Sequence, residues 1–193
     1  GAHSDYFTLP LKSRAQEAKP PMDLRCFTNA NAQAVPLLLD ASWRLGRPDL
    51  GETALSVLAV IDEMAVDGRL SHIYGQQGRC GEPAFLPGFL IDWVHLLNAN
   101  LAAHAFTVQE SYLDRAKDLA TRLIDEFFDS DIGGFFDIPE DAEAIGHLQI
   151  REKPLPENTL AALALIKLYQ ATRNDDYLQV AETTLSAFVE SYR

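Results

Sequence analysis

Two kinds of apolar pattern alternate along the chain. Residues 87–106 and 155–171 are apolar on nearly every side. Residues 108–129 instead carry Leu113, Ala116, Ala120, Leu123, Ile124 and Phe127 on one face, with Asp114, Lys117, Asp118, Arg122 and Asp125 opposite. The segment 175–192 is again one-sided, with Tyr177, Ala181, Leu185 and Phe188 inward. A helix without a polar face must be covered all round, whereas one with a single apolar stripe belongs in an outer layer. Two helices precede these. The first begins near Thr28 or Asn31 and stops at Gly46-Arg47-Pro48; Pro36 inside it removes a backbone hydrogen bond and should bend it. The second spans about 49–66, with Leu55, Leu58, Ala59 and Ile61 on its apolar side. Strand-like stretches fall between the helices: Asp5 to Thr8, Arg69 to Tyr74, and Phe135-Phe136 after Gly133-Gly134.

The helices pair into three αα-hairpins, about 28–66, 87–129 and 155–192, and the hairpins resemble one another. Asn31, Asp92 and Asn158 recur near the starts of the inner helices at a period of roughly 60 residues. Tyr112-Leu113-Asp114-Arg115-Ala116 matches Tyr177-Leu178-Gln179-Val180-Ala181 in the outer ones. This predicts an all-α fold of stacked hairpins with short β-strands in the connections. Such hairpins spiral open or close into an (α/α) toroid, and three make about half a ring. The exposed flanks of a half-ring are costly, at about 25 cal/mol per Å² of apolar surface. Residues 5–193 are therefore expected to be one domain that either belongs to a longer parent chain or self-associates. Gly1-Ala2-His3-Ser4 reads as an expression-tag remnant.

Charge and cysteine content narrow the partners. A formal net charge of -12 without a basic run disfavours nucleic acid and anionic membrane surfaces. The most apolar stretch, 85–106, holds Asp92, His95, Asn98, Asn100 and His104, too many polar groups for a lipid-facing span. Cys26 and Cys80 form no CxxC pair; their spacing leaves a disulfide between them open, but they read better as free thiols of a cytoplasmic protein. No HExxH pattern or carboxylate cluster suggests a metal, and no loop suggests a cofactor: Gly75, Gly78 and Gly81 are too loosely spaced for a phosphate loop.

One stretch is distinctive. Gly133-Gly134-Phe135-Phe136-Asp137, followed by Arg151, Lys153 and Pro156-Glu157-Asn158 and then Ala161-Ala162 and Leu165, resembles the C-terminal helical part of the thioredoxin-domain proteins of the spermatogenesis-associated type. Phe27 to Ala32 and Leu86 to Asp92 are similar to two further segments of that family, although Ala30 stands where a tryptophan is usual. The resemblance implies an (α/α) toroid of the six-hairpin glycosidase class, shared with N-acylglucosamine 2-epimerases and cellobiose epimerases. It also implies a sugar site in a funnel at the N-termini of the inner helices.

Free N–H groups and the positive dipole end make helix N-termini receptive to acceptors and anions. Asn31, Asp92 and Asn158 would meet at such a mouth, with Trp93 as an aromatic platform and Tyr74 and Arg151 as further sugar contacts. Asp92 and Glu157 form a candidate carboxylate pair for glycoside hydrolysis. His72 is a candidate base for an epimerisation, with His147 as the only other loop histidine. His95 and His104, nine residues apart on an inner helix, read as core histidines. Three readings compete: a carbohydrate-binding or carbohydrate-converting toroid, in which Asn31, Asp92 and Asn158 face ligand; a non-catalytic helical module for a protein partner, in which they are ordinary helix caps; and an inactive fragment of a larger thioredoxin-domain protein, whose missing hairpins would supply the rest of the site.

Overall fold

The computed structural model describes residues 4–20, 25–65, 69–74, 87–141, 143 and 145–189. Six long helices form three hairpins: α3 (Thr28–Leu45) with α4 (Pro48–Met64), α5 (Leu90–Thr107) with α6 (Glu110–Phe127), and α7 (Leu155–Thr172) with α8 (Asp175–Val189). Two short N-terminal turns, α1 (Ser4–Thr8) and α2 (Leu11–Arg14), precede them. The strand expected at residues 5–8 is thus a helical turn. Among the described residues no strand pairs with it, and Arg14 ties it down by donating to the carbonyls of Phe7 and Leu9.

The helices stack in register along one layer. α3 packs against α5 and α5 against α7, while α4, α6 and α8 each back their own hairpin partner. α5 is the hub and buries ten residues, among them Leu96 and Leu97 at no exposure. Each such leucine contributes about 1.5–3 kcal/mol of burial. α6 turns Leu113, Ala116, Leu119, Ala120, Leu123 and Phe127 inward and its charges outward, as its one-sided pattern requires. α8 differs from expectation. Leu185 is 40% exposed, because α8 covers only one neighbour and Ala181 and Thr184 fill that contact.

Each inner helix ends at a residue in the left-handed region: Gly46 (φ 61°), Val108 (φ 60°) and Arg173 (φ 60°). Their backbone N–H groups donate to Ser42, His104 and Tyr169, which closes the helix ends in a common way. A short turn then leads directly into each outer helix. The long connections lie at the opposite end. There β1 (Cys26–Phe27) pairs antiparallel with β2 (Ile73–Tyr74), and single bridges join Ser71 to Pro87 and Phe128 to Phe135. Only Ile73–Tyr74 of the longer strand expected at 69–74 pairs with a strand. Gly133 (φ 88°) carries the chain close over α8; a Cβ there would stand 2.8 Å from the Thr183 carbonyl oxygen. Cys80, Gly75, Gly78 and Gly81 lie outside the described residues, as does the side chain of His147. Among the described residues no helix is long and apolar enough to cross a membrane.

Candidate functional site

The N-terminal ends of the three inner helices are stitched together, and the recurring Asn/Asp positions do the stitching. Asp92, the third residue of α5, is fully buried. It accepts from the backbone N–H of Phe89 (2.8 Å), which precedes its own helix, and of Asn29 (2.9 Å), in the first turn of α3. His72 Nδ1 lies 2.9 and 3.0 Å from its two oxygens. Burial pushes the Asp92 carboxyl above the ordinary aspartate range, while the Phe89 amide and His72 pull it back. His72 is itself packed, edge-on to Phe27 and tilted against Phe89.

Asn158 repeats the arrangement one hairpin later. It too is fully buried; its Oδ1 accepts from the Phe135 N–H (2.6 Å) and its Nδ2 donates to the carbonyls of Phe135 and Pro154 (both 2.9 Å). The Leu90 N–H donates to the Asp137 carbonyl, so α5 is tied to the same loop that α7 holds. Asn31 is looser. Its Nδ2 donates to the Phe27 carbonyl at 2.8 Å, and it borders a small apolar cavity with Cys26, Ile61 and Met64.

The remaining candidates are placed as follows. Trp93 is 3% exposed and its ring packs against Phe127. Tyr74 is buried, with its hydroxyl accepting from the Ser71 N–H. Arg151 stacks over Phe136 at 3.9 Å and donates to the Ile138 carbonyl. Lys153 approaches the same ring, donating to Asp129 (2.7 Å) and to the Gly133 carbonyl (2.6 Å). These groups build the rim; the polar atoms of Tyr74, Arg151 and Lys153 are engaged by neighbouring backbone and side chains.

Open space lies on the free flank of the inner helices. A groove of about 610 Å³ runs between α3, α5 and α7. Gln33, His95, Asn98, Lys167 and Gln170 supply its polar atoms, and Pro36, Leu37, Leu101 and Leu163 its apolar wall. Lys167 donates to Asn98 at 3.2 Å across it. His95 and His104, expected in the core, both line this groove instead. His95 lies close enough to Glu157 to feel its charge: burial lowers the imidazole below its ordinary range, and Glu157 raises it. Glu157 Oε2 is buried without a hydrogen-bond partner. A buried carboxylate oxygen left without a partner is costly, which makes this end of α7 a candidate for a polar ligand group. Sequence reasoning passed over His95 because α5 reads as apolar all round. The signal was His95, Asn98, Ala102 and Ala105, a polar and small-residue stripe at three- to four-residue spacing.

No family model matches the sequence, and no curated protein matches it. Solved structures do match, and the fold is that of the (α/α) toroid glycosidases and epimerases. An α-mannanase of glycoside hydrolase family 76 from Bacteroides thetaiotaomicron superposes with a TM-score of 0.67 at 19% identity, over 88% of this chain and 46% of that one. Cellobiose 2-epimerase from Bacillus thermoamylovorans superposes with 0.71 at 13% identity, over 85% and 44%. A D-mannose isomerase gives 0.67 at 13%, over 84% and 40%. The chain thus spans less than half the length of the toroids it matches.

Proposed function

From this fold, we propose that the protein binds a carbohydrate on the groove face of its inner helices, with His95 and Glu157 as the acid–base pair at its polar end. The observation that carries the reading is the buried, unpartnered Glu157 Oε2, whose charge reaches His95 on the wall of a groove that mixes amides with apolar side chains. A sugar presents hydroxyls to the first and C–H faces to the second. The neighbouring folds support the substrate class: the solved toroids are a mannanase, an epimerase and an isomerase. Proton transfer next to a sugar carbonyl needs a base of this kind, with a second group to return the proton. In this reading Asp92, Asn158, Asn31, His72, Tyr74, Trp93 and Arg151 position the rim and do not touch ligand. The further resemblance to the thioredoxin-domain family rests on Phe27 to Ala32, Leu86 to Asp92 and Gly133 to Leu165, and names no reaction.

The test is a titration of isotopically labelled protein with mannose, glucose and cellobiose. Resonances of His95, Asn98 and Lys167 are expected to shift, and those of Asn98 and Lys167 to stop shifting in Glu157→Gln with His95→Gln. Shifts confined to other surfaces, or none with any of the three sugars, would overturn the reading.

A further inference from the structure

The groove that holds His95 and Lys167 does not stop at the seam of α5 and α7. A second groove, of about 520 Å³, continues it between α3 and α5, and the two share Pro36, Ala102 and Ala105. No long side chain stands among the shared residues to divide them. Their linings differ. The first is edged by amides and by Lys167, whereas the second presents two aromatic rings, Trp43 (82% exposed) and Phe106 (40%). Trp43 lies in the last turn of α3 and Phe106 in the last turn of α5, at the far end from Glu157 in the first turn of α7. The aromatic end is not purely apolar. The Asp40 carboxylate, one turn before Trp43 on α3, lines the same groove.

We propose that the two grooves form one cleft for a linear, neutral oligosaccharide of about three units, with Trp43 and Phe106 as the stacking platform for the unit farthest from His95. This rests on the carbohydrate reading above and extends it from a single ring to a chain. Length, chemistry and charge each support that occupant. His95 and Phe106 are eleven residues apart on α5, about 16 Å along the helix, room for about three linked hexose rings. A pyranose carries C–H groups on its faces and hydroxyls around its edge, so it can lay a face on an indole while its edge bonds amides and a carboxylate. An apolar protein helix on the same surface would cover Gln33, Asp40 and Gln170 and take them out of water without offering partners. The net charge of -12 disfavours a chain of acidic sugars.

Trp43 is its own reporter. The only other tryptophan, Trp93, is 3% exposed, so iodide quenches the emission of Trp43 alone. Mannose and glucose, and their linear oligomers of two, three and four units, are titrated into the protein while iodide quenching and amide shifts are followed together. Affinity is expected to rise with chain length by about tenfold or more overall and to level off after three units. The trisaccharide should shield Trp43 from iodide, and mannose or glucose alone should not. In Trp43→Ala, an exposed position whose replacement should leave the circular dichroism spectrum unchanged, the gain from the third unit should be lost. Equal affinity for one unit and for three, with Trp43 open to iodide throughout, would overturn the extended cleft and leave the single-ring reading standing. Amide shifts with no sugar of any length would overturn both. Shielding of Trp43 that grows with protein concentration in the absence of sugar would also overturn the cleft, because a protein surface would then occupy the platform.

Discussion

Asp92 gathers two backbone amides and an imidazole onto one fully buried carboxylate. Removing it leaves all three groups without an acceptor in the interior, so Asp92→Ala should cost about 3 kcal/mol or more in a urea unfolding experiment. Asp92→Asn should cost less, because one amide oxygen can still accept, as Asn158 does from Phe135. His95 offers a separate measurement. Its folded-state pKa is lowered from 6.5, chiefly by burial. Between that lowered value and 6.5 the unfolded chain binds more protons than the folded one. Stability should therefore fall as pH drops through this window and level off below it. Replacing His95 by glutamine should flatten that part of the stability–pH curve. Glu157 raises the His95 pKa, so an NMR titration of Glu157→Gln should find His95 titrating at still lower pH.

At the scale of the element, the three inner helices end alike but with unequal residues. Gly46 adopts the left-handed conformation without steric cost, whereas Val108 holds φ 60° with a β-branched side chain that is 78% exposed and packs on little. The left-handed region costs an L-residue roughly 1–2 kcal/mol, and glycine returns part of that through backbone entropy. Val108→Gly should thus raise stability by about 0.5–1 kcal/mol, read as an upward shift in Tm. The same elements show what the sequence carried. The inner helices were legible because α5 and α7 lack a polar face, and α6 because Asp114, Lys117 and Arg122 oppose Leu113 and Leu123. Residues 5–8 and 69–72 were not, since strand propensity is realised only where a partner strand exists. The rim positions Asp92 and Asn158 could be located from their recurrence, yet whether their polar atoms pointed at backbone or at solvent depended on Phe135, Asn29 and His72, distant in sequence. His95 was hidden for the converse reason: an apolar helix suggested burial all round, and one of its flanks lies open.

Across the whole molecule, cohesion is concentrated at the centre of the layer. α5 has α3 on one side, α7 on the other and α6 behind it, whereas α8 buries only Ala181 and Thr184. Native-state hydrogen exchange should accordingly find the slowest amides in α5 and the fastest helical amides of the three hairpins in α8. The connections are just as unevenly distributed. Each inner helix passes to its outer partner through two residues, 46–47, 108–109 and 173–174, while the described residues of the long stretches, 69–74, 87–89, 128–141 and 145–154, gather at the other end. Insertions in those long stretches displace no helix, whereas a single added residue in the short turns would shift an outer helix against its neighbour. A lineage built on this frame can thus diversify what it recognises by lengthening one rim, while the opposite rim stays fixed in length.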